Sequence, residues 1–146
     1  MSRVTTKFGP VIGQKINPKG STRTVDRYLG IPYAKPPVGP LRFRRPLPFD
    51  GKWSEPFEAT KWPPMCPQFE GKFQLDSKKY KKTDVYSEDC LYLNIWVPEK
   101  SNNELKPVLV WIHGGGLVAG TSGSDLYDLE YIADKMDAVV VTFNYR

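Results

Sequence analysis

The residues of this chain best suited to chemistry are His113-Gly114-Gly115-Gly116, which follow the apolar run Val108-Leu109-Val110-Trp111-Ile112. That order predicts a buried strand opening into a loop of bare backbone. Three consecutive glycines leave their N–H groups unshielded by side chains, so the backbone can approach a ligand closely and donate to a negatively charged oxygen. An oxyanion hole is built in this way. No nucleophile for such a hole is found in these 146 residues. Gly120-Thr121-Ser122-Gly123-Ser124 comes nearest to the elbow pattern G-x-S-x-G, but it places a glycine one position too early and follows no strand, so Ser122 is rejected. His113, the sole histidine, enters the hole and cannot also act as a general base on a distant loop.

Three other chemistries compete for the same loop. Gly114-x-Gly116-x-x-Ala119 formally fits a dinucleotide fingerprint, yet Gly120-Thr121-Ser122-Gly123 follows and delays the next helix to about residue 124. A phosphate loop would need a following Gly-Lys-Ser/Thr, which is absent. A purely structural turn is the remaining alternative, though a tight strand-to-helix turn rarely needs three adjacent glycines. The oxyanion reading is preferred.

The elements that must position this loop follow from apolar periodicity. Val4 to Ile16 carries two short strand-like runs around Phe8-Gly9-Pro10, and Arg23 to Leu29 is a third extended segment, so a small antiparallel ribbon is expected. Gly30 to Pro67 is dense in proline and aromatic residues, which excludes regular helix and predicts an irregular arm packed by its rings. Phe69 to Ser87 is polar and Lys-rich and is expected to be a surface loop. Leu91 to Val97, Val108 to Ile112 and Val139 to Phe143 read as strands, the last two continuously apolar, as when both faces of a sheet are covered. Between them, Ser124 to Asp137 places Leu126, Leu129, Ile132, Ala133 and Met136 on one helical face, with Ser124 or Asp125 as the cap. Strand, glycine loop, helix and strand make a βαβ unit, hence an α/β protein.

With 40% hydrophobic and 25% charged residues the chain is expected to be globular. The net charge of +5 is concentrated at Lys78-Lys79-Tyr80-Lys81-Lys82, which reads as a solvated loop, since no basic helix or repeated aromatic spacing accompanies it, and nucleic acid is not expected as a partner. No apolar run reaches the roughly 18 residues of a membrane span, and no charged-then-apolar leader precedes the first strand. The two cysteines and single histidine make a metal site improbable, and no metal or organic cofactor is expected. Cys66 and Cys90 are equally compatible by spacing with two buried thiols or with a disulfide, which would contribute about 3 to 4 kcal/mol and imply an oxidising compartment. The chain has no Asn-x-Ser/Thr glycosylation site.

Four segments occur in an order and at spacings that resemble the type-B carboxylesterase and cholinesterase family. They are Leu29-Gly30-Ile31-Pro32-Tyr33-Ala34-Lys35-Pro36-Pro37-Val38-Gly39, Leu41-Arg42-Phe43, Ser87-Glu88-Asp89-Cys90-Leu91-Tyr92-Leu93-Asn94-Ile95 and His113-Gly114-Gly115-Gly116. The resemblance covers essentially the whole chain, residues 1–146, as an incomplete amino-terminal portion of a single α/β-hydrolase domain: a small antiparallel ribbon followed by part of the central mixed sheet. It implies that Gly115 and Gly116 line the oxyanion hole, that Cys66 and Cys90 form a disulfide, and that Arg42 and Glu88 form a buried ion pair tying the proline-rich arm to the strand carrying Cys90. Breaking such a buried pair would cost several kcal/mol.

The resemblance also implies the activity. The parent protein is expected to hydrolyse small-molecule carboxylic esters through an acyl-serine intermediate, with its Ser, Glu or Asp, and His beyond Arg146. The remainder of the same polypeptide is then needed for a complete fold, and residues 1–146 alone are expected to be inactive and either to aggregate through the exposed edge of the strand ending at Phe143 or to be molten in character. Cholinesterases usually carry tyrosine at the position of His113 and a choline-binding tryptophan at that of Tyr80, so a general carboxylesterase is favoured. The alternative is a catalytically inactive adhesion or scaffold protein on the same fold, in which part of the glycine loop tends to be lost. Secretion or the endoplasmic reticulum lumen is the expected location.

Overall fold

The computed structural model describes residues 1–68, 82–99, 105–127 and 129–146. Among them, β1 (Ser2–Thr6), β2 (Gly9–Ile16), β3 (Val25–Pro32), β4 (Phe57–Glu58), β5 (Tyr92–Pro98), β6 (Val108–Trp111) and β7 (Val139–Phe143) form one mixed sheet. Its spatial order is β1-β2-β3-β5-β7-β6, with β4 beside β2. The first five members of that path pair antiparallel, whereas β6 and β7 run parallel, joined by the crossover that contains α1 (Leu129–Met136). This is the antiparallel ribbon and partial mixed sheet of the amino-terminal part of an α/β-hydrolase fold.

Strand alternation sends side chains to two faces. On one, Val25, Leu29, Trp96 and Val140 pack with Leu129 and Ala133 of α1. A second cluster joins Val11, Tyr28 and Ala59, with Trp53, Phe57, Ile95 and Val97 against it, so the arm's aromatic rings serve as core. Trp53 stacks on both Phe49 and Phe57, which explains how a proline-rich segment holds a fixed path without regular hydrogen bonding. The remainder of the arm contributes a single 3-10 turn, Gly39–Leu41, and isolated bridges Leu29 to Thr60, Ala34 to Pro48 and Met65 to Tyr86.

Several boundaries differ from the sequence pattern, each for a physical reason. β3 begins later than Arg23 and continues past Leu29 to Pro32, because a register shift between Tyr28 and Ile31 absorbs Gly30 as a bulge. The Gly30 N–H that the bulge frees from the ladder donates to the buried Asn94 Oδ1 at 2.9 Å. The helix starts at Leu129 rather than near 124, and Ser124 Oγ instead accepts the Leu126 N–H at 3.2 Å, closing a turn ahead of it. Leu126 and Met136 are exposed, so the buried helical face is narrower than the pattern of five apolar residues implied. Of the basic run, Lys78 to Lys81 lie outside the described residues, while Lys82 pairs with Asp125 and lies over the Trp62 ring.

The exposed edge is also displaced. β7 is paired on both sides, by β5 and β6, and buries Val140 and Thr142 completely. β6 stands at the end of the sheet with Val108, Val110 and Trp111 exposed, so its apolar run is not covered on both faces. An apolar edge strand is a template for pairing with another chain. A polypeptide of these 146 residues alone is therefore expected to self-associate through β6, and Val110→Lys to reduce that association in sedimentation velocity at equal concentration. A monomeric unsubstituted chain with a sharp cooperative melt would contradict this.

Candidate functional site

The glycine loop leaves the end of β6 and turns back at once. Gly115 has φ +133° and Gly116 has φ +60°, both in the region where a Cβ is strained. A Cβ on Gly115 would stand 1.7 Å from the Ala119 carbonyl oxygen, so no side chain fits there. The turn is closed by the Gly115 carbonyl, which accepts the N–H groups of Val118 and Ala119, each at 3.1 Å. One residue earlier, the Gly114 carbonyl lies 2.9 Å from His113 Nδ1. The dinucleotide alternative fits poorly, because the chain enters a turn at Val118-Ala119 and reaches its helix only at Leu129.

These two held carbonyls aim two N–H groups. In a trans peptide the C=O and the following N–H point in opposite directions. Fixing the Gly114 carbonyl therefore orients the Gly115 N–H, and fixing the Gly115 carbonyl orients the Gly116 N–H. Among the described residues neither N–H meets an acceptor, and both glycines are exposed. Two adjacent, oriented and unpaired donors can bind one anionic oxygen.

His113 is the hub of this arrangement and is only 4% exposed. Its ring stacks on Tyr145 with centroids 4.3 Å apart, and the Tyr145 hydroxyl donates to the His113 carbonyl at 2.6 Å. A carbonyl can only accept, so the contact with Gly114 places the ring proton on Nδ1 and leaves Nε2 unprotonated. Burial pushes the His113 pKa down, against a smaller upward pull from the bond to Gly114, which keeps the ring neutral near pH 7.

The return limb of the loop is tied to the sheet by buried amides. Asn144, immediately after β7, accepts the Ser122 N–H at 2.8 Å and donates to the Pro64 carbonyl at 2.9 Å. Its backbone carbonyl accepts the Tyr33 hydroxyl at 2.6 Å, and its N–H donates to the Tyr92 carbonyl. Asn94 of β5 reaches the Ser122 hydroxyl at 3.2 Å. Ser122 is completely buried as a structural hydrogen-bonding residue. The Gln68 amide holds Gly120 from the side of the arm. Asn94, Asn144 and Gln68 belong to no catalytic motif; Asn94 and Asn144 are marked in the sequence only as amides that interrupt or end an apolar strand.

The remaining singled-out residues lie beside the loop. Cys66 and Cys90 form a disulfide, which packs with Ala34 and Leu91. Arg42 and Glu88 form an ion pair, with side chains 56% and 37% exposed in the residues present here. A pair exposed to this degree contributes about 0 to 1 kcal/mol. A cavity of about 510 Å³ brings Arg42, Glu88, Cys66, Gly120, His113 and Tyr145 to a common wall. Leu117, Val118 and Ala119, which directly follow Gly115 and Gly116 in the turn, also line this cavity. Tyr80 lies outside the described residues. No described helix is long and apolar enough to cross a membrane.

The sequence matches a known family. The Carboxylesterase family model matches residues 1–146. The chain is 44% identical over 149 residues to the medium-chain fatty acyl-CoA hydrolase precursor of Anas platyrhynchos, covering 98% of this chain and 26% of that protein. Carboxylesterase 1D of Mus musculus is 44% identical with the same coverage, and Acetylcholinesterase-1 of Trittame loki is 42% identical over 146 residues, covering 98% and 25%. The chain thus spans about a quarter of the length of these relatives.

The depressed pKa of His113 has a consequence for stability. Just below its ordinary value of about 6.5, the unfolded chain binds a proton that the native ring refuses, so this contribution is complete above pH 6.5 and is lost as pH falls. The unsubstituted protein is expected to lose more stability between pH 7 and pH 5 than His113→Asn in parallel denaturant titrations. Equal losses would contradict a buried neutral ring.

Proposed function

The chain belongs to the carboxylesterase family, and from that membership we propose that it supplies the oxyanion-binding loop of a carboxylic ester hydrolase. The observation that carries this reading is the pair of N–H groups at Gly115 and Gly116, which meet no acceptor among the described residues, each in a peptide whose carbonyl is already held. A serine hydroxyl from the part of the enzyme that this chain does not span attacks the ester carbonyl carbon as a base takes its proton. The carbonyl π electrons move onto oxygen, and Gly115 and Gly116 donate to that oxyanion. Collapse re-forms the carbonyl and expels the alcohol, which takes the proton, leaving an acyl-serine. Water then attacks the acyl carbon in the same manner and releases the carboxylic acid. Each oriented donor lowers the barrier by roughly 3 to 4 kcal/mol.

The intact His113-Gly114-Gly115-Gly116 loop favours an enzyme over an inactive scaffold, in which part of that loop tends to be lost. His113 in place of the usual cholinesterase tyrosine favours a general carboxylesterase. A small ester is the proposed substrate, and the mechanism needs no metal or organic cofactor. The disulfide between Cys66 and Cys90 supports an oxidising compartment, either outside the cell or in the endoplasmic reticulum lumen. The 146 residues alone, without the nucleophilic serine and its partner base and acid, are proposed to be inactive.

The full-length protein is expected to hydrolyse a short-chain p-nitrophenyl ester and to be labelled covalently by an organophosphate. Gly115→Ala is expected to lower kcat by roughly 100- to 1000-fold, the loss associated with one oxyanion donor. Gly116→Ala, whose Cβ would meet only Val118 Cγ2 at 4.0 Å, is expected to cost less. Full kcat in Gly115→Ala, or absence of labelling in the unsubstituted protein, would overturn the reading.

A further inference from the structure

We propose that Gln68 is a positioning residue for the oxyanion loop, acting as a side-chain clamp that couples the Cys66–Cys90 disulfide to the aim of the Gly115 N–H. The inference rests on the ester-hydrolase reading for its kinetic consequence, and on hydrogen-bond geometry for its structural one. Gln68 is two residues beyond Cys66, and its primary amide makes hydrogen bonds that include three to Cys66 and Gly120. Its Nε2 donates to the Gly120 carbonyl at 2.9 Å and to the Cys66 carbonyl at 3.1 Å, while its Oε1 accepts the Gly120 N–H at 2.9 Å. Both backbone groups of Gly120 are therefore held by one planar group, as a neighbouring strand would hold them.

The residue type is dictated by this pattern. Two carbonyls and one N–H face the side chain, so the site needs two donors and one acceptor in a plane. Glutamate has the shape and the acceptor but turns oxygen toward both carbonyls. Methionine has the length and neither function. A primary amide satisfies all three partners.

Gly120 is the residue through which the clamp reaches the donors. A Cβ placed on it would lie 2.4 Å from His113 Nδ1 and 2.5 Å from the Gly114 oxygen, so its Cα rests directly against the hydrogen bond between those atoms. That bond fixes the Gly114–Gly115 peptide and hence the direction of the Gly115 N–H. The other end of the clamp is equally fixed, since Cys66 is bonded to Cys90, whose carbonyl accepts the Tyr92 N–H at 2.8 Å at the start of β5. A displaced Gly120 leaves His113 and Gly114 room to move, and reacting groups misplaced by about 1 Å lose up to about 100-fold in rate.

The test uses the full-length protein with Gln68→Glu and Gln68→Met, read per active site titrated by an organophosphate. Both variants are expected to lower kcat about tenfold or more while KM stays within about twofold, because the oxyanion exists only after attack. The rate constant for organophosphate labelling falls in the same ratio. Hydrogen exchange is expected to accelerate across residues 114 to 120 and to stay unchanged in β5, a pattern that general destabilisation would not give. If the unsubstituted protein hydrolyses esters and both variants keep kcat within about twofold, the positioning role is overturned. Unchanged exchange across residues 114 to 120 overturns the clamp itself. Accelerated exchange there in a protein without esterase activity would overturn the proposed function and the kinetic role while leaving the clamp standing.

Discussion

A peptide unit cannot aim its N–H without committing its C=O, and the loop from His113 to Gly120 is organised around that constraint. The Gly114 carbonyl is committed to His113 Nδ1, and the Gly115 carbonyl to the amides of Val118 and Ala119. What remains is a pair of donors with fixed directions and no partner among the described residues. The glycines are needed less for flexibility than for space: at Gly115 a single methyl would collide with the Ala119 carbonyl. A flexible loop would have to be ordered when it binds, whereas this one is already held by the His113 ring and by the hydrogen bonds of its own backbone.

The sheet supplies the fixed frame to which this loop is tied. β5 and β7 are hydrogen-bonded neighbours near its centre, and each presents an asparagine toward the limb that returns from the glycines. Burying an amide costs free energy unless its donors and acceptors are met. Asn94 and Asn144 meet theirs with Gly30, Ser122 and Pro64, so the same bonds that satisfy them attach the β3 bulge and the proline-rich arm to the loop. Removing the Asn94 amide would leave the Gly30 N–H and the Ser122 hydroxyl without these partners, and removing the Asn144 amide would do the same to the Ser122 N–H and the Pro64 carbonyl. The interior polar groups thus act as joints between elements that apolar packing alone would leave free to slide.

Much of this arrangement was legible in the residues, because apolar periodicity reports directly on backbone pitch. The runs at Val139 to Phe143 and Leu91 to Val97 appear as strands within a residue or so of their patterns, and the glycine loop stands at the end of β6. Boundaries that depend on tertiary contacts were not legible. β3 runs through Gly30 to Pro32 because Asn94, far away in sequence, receives the bulged N–H. α1 is shorter than its apolar pattern because Ser124 closes a separate turn. The Arg42–Glu88 pairing was carried by family resemblance, yet its exposure depends on what surrounds it in space, which spacing does not encode. Gln68 carried no local signal at all: its role exists only because the disulfide brings the arm against Gly120.

The central claim is that the Gly115 and Gly116 N–H groups hold the negative charge that develops on a substrate oxygen. A crystal structure of the full-length protein carrying a covalent phosphonate on its nucleophile measures this directly. The phosphonyl oxygen is expected within about 3.1 Å of both the Gly115 and Gly116 nitrogens, with the Gly114 carbonyl still bound to His113. An adduct whose oxygen bonds to neither glycine, or a loop that has turned its peptides to reach it, would contradict the claim.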